Sequence, residues 1–365
     1  HSELTKEDEA EYGTGSSGNQ GLFDTLKALE WVHENAAALG GDPNNIMIFG
    51  ESAGAISTCA LLTSPLADGL FSSALMQSGN CLWFPELKTS TLYSVPAEDL
   101  GSQIAESLGC DSEDLACLRN KSALEIVQSL PDANYRPNVD GAFLTSHPTI
   151  SLYYGNFNKV PVVAGVTGNE GSLFVHYLGI QTEEELVEYL TEWGSNLGIT
   201  DMTQLHNLYS VEEYDTPQEA FDQFYSDIIF VCPTKFLLES VSSHVPTYAY
   251  HYTHVPSWVN YNPNFEGWGS YHSSEMPFVF GTYLENLTAS EVEFSSTMST
   301  SWLSIANNTP QINGDEPWLP FVDAFSEGGY WAEFNATETK MVLGVKKNVV
   351  ISFGLSGTDN SNRLF

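Results

Sequence analysis

Four short apolar runs separated by helical stretches constrain this chain more than any other feature. Ile46-Met47-Ile48-Phe49, Ala74-Leu75-Met76, Val160-Pro161-Val162-Val163-Ala164-Gly165-Val166 and the tyrosine-rich 247–252 each have the length and continuity of a strand. An unbroken apolar run such as 46–49 marks a strand covered on both faces, because a half-covered strand alternates apolar with polar residues. Helical patterns lie between the runs. Leu22, Leu26, Leu29, Val32 and His33, with Trp31 beside them, lead to the terminator Gly40-Gly41-Asp42-Pro43, and further helices are expected over 53–62, 183–193 and 217–230. Strands separated by helices predict the α/β class: a mostly parallel central sheet with helices on both faces. There is no internal repeat, and the one low-complexity turn is 13–18.

The chain has 365 residues, 47 acidic and 12 basic, for a formal net charge of −35. The imbalance comes from missing bases, and with 42% hydrophobic and 12% aromatic residues the chain is not a disordered acidic tail. Without basic clusters nothing can neutralise phosphates, which excludes nucleic acid and anionic membrane surfaces as partners. No run approaches the roughly 18 apolar residues of a membrane span, so no integral membrane segment is expected, and the polar start 1–9 is unlike a signal peptide. Of five cysteines, Cys110 and Cys117 are too widely spaced for a CxxC motif and suit a small disulfide loop. Sequons stand at Asn120, Asn286, Asn307 and Asn335. Together they predict a secreted, disulfide-bonded glycoprotein.

Gly50-Glu51-Ser52-Ala53-Gly54 matches G-x-S-x-G, follows the run 46–49 directly and opens the helix at Ala53. That strand-turn-helix setting is what a nucleophile elbow needs. The sharp turn would expose Ser52 Oγ at the end of the strand, Gly50 and Gly54 would admit close neighbours, and the Ala53 N–H would face a developing oxyanion. The plainer alternative is a glycine-rich turn whose serine caps the helix.

Gly18-Asn19-Gln20-Gly21-Leu22-Phe23-Asp24, then 28–35, Gly40-Gly41-Asp42-Pro43, the Ser52 motif and Met76-Gln77-Ser78-Gly79 together resemble the type-B carboxylesterase/lipase family of cholinesterase-like proteins. The resemblance covers nearly the whole chain. It implies the α/β-hydrolase fold, a carboxylic ester hydrolase working through an acyl-enzyme, and no cofactor or metal.

A serine hydroxyl needs a base, and the base needs an orienting carboxylate. In this fold the chain order is serine, acid, histidine. Gly267-Trp268-Gly269-Ser270-Tyr271-His272, followed by Glu275 and 278–281, resembles the family's histidine loop and assigns the base to His272, leaving His251 and His254 as packing or surface residues. Asn169-Glu170-Gly171-Ser172, past the run 160–166, resembles the acid loop and assigns the acid to Glu170; without the resemblance a solvated turn glutamate would be the simpler reading. The resemblance also places Glu51 and Glu275 as acids behind His272, and Trp83 as a wall of the acyl pocket. A partly exposed loop acid remains open for Glu275, and plain core for Trp83. Cholinesterases carry an aromatic residue where this chain has Leu173, which tilts the expected substrate from choline esters to neutral esters or lipids.

The family's oxyanion glycines normally lie upstream of the serine, and no such segment precedes Ser52 here. Of the oxyanion donors only Ala53 is expected in this chain. The chain is therefore expected to be a single α/β-hydrolase domain over 1–365, lacking N-terminal strands: the larger C-terminal piece of a cleaved or truncated precursor. Its partner would be the N-terminal fragment, parted near the acidic stretch 6–11. The family's usual disulfide partner for the cysteine aligned with Cys232 has no counterpart near the C-terminus. An alternative function is a non-catalytic, cholinesterase-like adhesion or ligand-binding protein, which would not need all three triad positions filled.

Overall fold

Each of the four apolar runs forms a strand, and the strands lie side by side in sequence order. The computed structural model describes residues 18–82, 97–112, 114–129, 137–260, 262–282, 284–321 and 329–343. The turn 13–18, except Gly18, the stretch 6–11 and Trp83 lie outside the described residues. The chain divides into two compact units, one of 1–46, 56–72 and 81–159, the other of 47–55, 73–80 and 160–365.

The first unit contains helix α1, Gln20–Asn35, which buries Leu22, Leu26 and Leu29. Val32 and Trp31, expected on or beside that apolar face, are exposed instead. Burial skips that turn and resumes at Ala36, where the helix tightens into the 3-10 turn Ala36–Leu39 before Gly40 at φ 86°. Disulfides Cys110–Cys117, as expected, and Cys59–Cys81, which spacing did not suggest, staple this unit.

The second unit is built on the sheet. Strands β1 (Met47–Glu51), β2 (Ser73–Gln77), β3 (Val162–Thr167) and β4 (Thr247–Tyr252) are followed in the chain by a two-residue ribbon, β5 (Gln311–Ile312) and β6 (Glu316–Pro317). Strands β7 (Tyr330–Phe334) and β8 (Lys340–Leu343) complete a six-stranded sheet of order β1-β2-β3-β4-β7-β8. All neighbours run parallel except β7 and β8. Every residue of β2 and β3 is buried. The reading of 46–49 as covered on both faces does not hold: β1 is an edge strand among the described residues, and Phe49 is 39% exposed. β7 escaped the sequence because Glu333 breaks its short apolar run.

Gly165 in β3 lets the Tyr250 ring of β4 lie directly on the strand, since a Cβ there would come within 2.2 Å of Tyr250 Cδ1. Helix α2, Ala53–Thr63, follows the Ser52 turn. Helices α3 (Glu183–Asn196) and α4 (Pro217–Ser226) lie between β3 and β4 in the chain. The helix expected over 217–230 stops at Ser226, where the backbone widens into a π turn, Asp227–Val231, ahead of α5, Cys232–Ser242. Pro233 lacks the amide that would continue α-helical bonding, which favours such a respacing. Cys232 lies in neither disulfide, and burial pushes its thiol up to about 12. Finally, α6 (Met276–Phe280) and α7 (Ala289–Ala306) pack with β4 through Tyr252, Phe278 and Phe294.

Candidate active site

β1 ends at Glu51 and α2 begins at Ala53, so Ser52 alone makes the turn, at the left-handed φ of 55°. A side-chain-bearing residue in that region is strained by about 1–3 kcal/mol and persists only where its surroundings hold it. Here the Ser52 N–H donates to Gln77 O at the end of β2, 2.8 Å away. A Cβ on Gly50 would lie 2.4 Å from the Gly54 carbonyl carbon, and one on Gly79 would lie 2.5 Å from Ser52 O. Glycine is thus required at 50 and 79 for backbone to close on the turn. Gly54 differs from expectation, since a Cβ there would meet nothing within 4 Å.

Two loops at the ends of β3 and β4 bring Glu170 and His272 together. His272 Nδ1 lies 2.5 Å from Glu170 Oε2, while Glu170 Oε1 accepts the Thr167 N–H at 2.7 Å. Glu170 is 0% and His272 3% exposed. A buried carboxylate must be fully hydrogen-bonded to be tolerated, and both oxygens of Glu170 are engaged. Sequence reasoning missed what joins the loops. Asn169 N–H donates to Ser270 O and Ser270 N–H to Asn169 Oδ1, each at 3.0 Å, one backbone and one side-chain bond between segments a hundred residues apart. Ser172 Oγ lies 2.6 Å from Asn169 O and 2.7 Å from Trp268 O. Asn169, Ser172 and Ser270 stand next to the assigned acid and base, and that adjacency was the available signal. Rings of Phe174 and Phe230 flank the imidazole at 5.0 and 4.8 Å between centroids.

The free edge of the imidazole faces another acid. His272 Nε2 is 3.1 Å from Glu51 Oε1, but without hydrogen-bond alignment, so neither atom has a hydrogen-bond partner among the described residues. No hydrogen bond joins Ser52 to His272 among those residues either. Burial, with the nearby Glu170 charge adding to it against the opposing pull of His272, raises the Glu51 carboxyl to about 7. Glu275 is 0% exposed, so it is not a loop acid at the surface. Burial first, then the charges of Glu170 and Glu51, push it to about 8. It accepts a hydrogen bond from Gln77 Nε2 at 2.9 Å, and Gln77 Oε1 accepts one from Trp302 Nε1 at 3.0 Å. Burial alone would lower the His272 pKa, but the Glu170 hydrogen bond and the charges of Glu170, Glu51 and Glu275 outweigh it and raise the pKa above 6.5. A base surrounded by carboxyl groups can take a proton readily.

The remaining predicted residues fall elsewhere. Ala53 is exposed at the start of α2. Burial holds His251 down to about 4, and His254 pairs with Glu291 at 3.1 Å, in keeping with packing roles for both. Asn120, Asn286 and Asn307 are exposed, whereas Asn335 Nδ2 is committed to Thr253 O and Oγ1 at 3.2 and 3.3 Å. Among the described residues no group of acids, histidines and cysteines is arranged to hold a metal ion, and no helix is long and apolar enough to cross a membrane.

The sequence profile of the carboxylesterase family matches residues 11–351. Human cocaine esterase is 32% identical over 329 residues, an alignment covering 84% of this chain and 57% of that protein. Mouse cholinesterase is 29% identical over 368 residues, covering 92% of this chain and 58% of the relative. A solved structure named PNB esterase superposes with a TM-score of 0.71 at 24% identity, over 89% of this chain and 67% of that one, and shares the α/β-hydrolase fold. The chain spans a little over half the length of these two curated relatives, 57% and 58%. Its fold and its match along nearly the whole sequence place it plainly: the chain belongs to the carboxylesterase family.

Proposed function

We propose that this chain carries the Ser-His-Glu triad of a carboxylic ester hydrolase. The observation that carries the reading is the buried Glu170–His272 pair beside a strained serine on a strand-to-helix turn. In the reaction, Ser52 Oγ attacks the ester carbonyl carbon while His272 Nε2 takes its proton. The tetrahedral intermediate collapses as the imidazolium returns that proton to the leaving alcohol, and water repeats the sequence on the acyl-enzyme. Glu170 keeps Nδ1 protonated and stabilises the imidazolium. Glu51, 3.1 Å from Nε2, shares in that stabilisation when ionised. Nε2 must leave Glu51 for Ser52 Oγ, a tightening that is ordinary once substrate binds.

Ala53 N–H supplies one oxyanion donor, and the glycine donors come from an N-terminal piece of the same precursor. The exposed Phe49 face of β1 and the partial span of the longer relatives support this. Neutral acyl esters or lipids fit the site better than choline esters, since Leu173 stands where a cation-stacking ring would be needed. Two disulfides and three exposed sequons support an extracellular glycoprotein, with Asn335 unglycosylated because a glycan there would break its bonds to Thr253.

A panel of p-nitrophenyl esters of increasing chain length, run on the native protein and on Ser52→Ala, tests the reading. Serine-dependent hydrolysis is expected, and turnover equal in both would sink it. A denaturing gel of the native protein should resolve a second polypeptide beside the 40.1 kDa chain. A single band at that mass would remove the N-terminal partner.

A further inference from the structure

We infer that His176 and Asp222 are positioning residues that hold the acid loop and the histidine loop at the spacing where Glu170 and His272 meet. The inference rests on the triad reading above, and it concerns a second histidine–carboxylate pair that the mechanism does not use. His176 Nδ1 is hydrogen-bonded to Asp222 Oδ2 at 2.6 Å. Asp222 is buried, and its other oxygen accepts from Gln218 Nε2 at 2.7 Å. A buried carboxylate with both oxygens bonded is a rigid anchor.

The anchor reaches both loops. On one side, Gly171 directly follows Glu170 and rests on the backbone of α4. A Cβ on Gly171 would come within 2.1 Å of Asp222 O, and the Gly171 N–H donates to Ser226 Oγ at 2.8 Å, which in turn donates to Asp222 O at 2.7 Å. On the other side, the imidazole of His176 lies against Gly267, where the histidine loop begins. A Cβ on Gly267 would be 3.1 Å from His176 Cε1 and 3.2 Å from Nε2, and Gly267 has a φ of 81°. Gln218 clamps the segment between, donating to Val175 O at 3.0 Å and accepting from Ile180 N–H at 2.7 Å. Asp222 therefore meets the acid loop through its main-chain oxygen, while its carboxylate holds His176, on the segment after Glu170, against the start of the histidine loop. Displacing reacting groups by about 1 Å costs on the order of 10² in rate.

The test uses Asp222→Ala, Asp222→Asn and His176→Ala in the full chain with any polypeptide that accompanies it. Asp222→Ala and His176→Ala should lower kcat by about 10²-fold while KM stays within about threefold, and Asp222→Asn should restore most of the loss. The acid limb of the pH profile should move to lower pH in the two alanine variants. A weakened Glu170 contact gives less support to the imidazolium, so His272 loses its proton at lower pH. The far-downfield proton resonance of the His272 Nδ1–Glu170 bond should be present in wild type and Asp222→Asn, and lost or broadened in the alanine variants. His176 is 26% exposed, so its replacement keeps the test available if Asp222→Ala fails to fold. A folded His176→Ala protein with the wild-type resonance, kcat and acid limb overturns the inference. The resonance is read without substrate, so a wild type that hydrolyses nothing overturns the triad reading while the comparison of resonances still decides this one.

Discussion

The two halves of the candidate site stand on different ground. Glu170 and His272 sit on loops that follow the interior strands β3 and β4, and the backbone and side chains of Asn169, Ser172 and Ser270 tie those loops together. Ser52 stands at the end of β1, the edge strand among the described residues, on a turn held by one hydrogen bond to Gln77 and two tight glycines. The acid–base pair is thus assembled in advance inside the second unit, whereas the nucleophile depends on backbone geometry at a margin. Substitutions should behave accordingly on the two sides.

The largest effects should come from the chemistry itself. Ser52→Ala and His272→Ala should each lower kcat by about 10⁴- to 10⁶-fold, and the double variant should be little worse than either, because the two act as a unit. Near-additive losses in steady-state kinetics would mean they do not. At the margin, Gly50→Ala forces a Cβ into the Gly54 backbone and should cost about 1–3 kcal/mol by denaturant unfolding, together with most of the activity. Gly54→Ala, with open space around it, should stay within about 0.5 kcal/mol of wild type. Equal effects at the two positions would contradict the geometry of the turn. In the interior half, Asn169→Ala leaves Ser270 N–H unpaired and should cost about 1–3 kcal/mol, with kcat falling more than KM rises.

The last effect is a matter of pH. Folding raises the Glu275 carboxyl from 4.5 to about 8, so the folded state holds more protons than the unfolded state between those values. Stability should therefore fall as pH rises through that window. Glu275→Gln removes the titration and can still accept from Gln77. The variant should match wild type near pH 4.5 and exceed it in unfolding free energy near pH 8. A constant difference across the window would show that Glu275 does not carry that proton.

Residues close in sequence were the legible part. Ser52 was readable because strand, turn and helix follow one another within a few residues, and Cys110–Cys117 because its loop is short. Glu170 and His272 were found through resemblance; alone, Glu170 reads as a solvated turn glutamate and His272 is one of several histidines after Ser52. What local pattern could not reveal was contact over distance: the Asn169–Ser270 exchange, Gly79 under Ser52, and the Cys59–Cys81 bridge. Edge position was also hidden, because 46–49 is as apolar as an interior strand although its exposure depends on what lies beside it. The π turn before Pro233 is a further case, where one residue altered the spacing of a helix whose apolar pattern ran on.

The most direct measurement is covalent labelling of the native protein with a fluorophosphonate, followed by intact mass and peptide mapping. The account predicts one increment per chain, on the peptide carrying Ser52, abolished by His272→Ala and greatly slowed by Glu170→Gln. No increment, or an increment on another serine that survives Ser52→Ala, would contradict it.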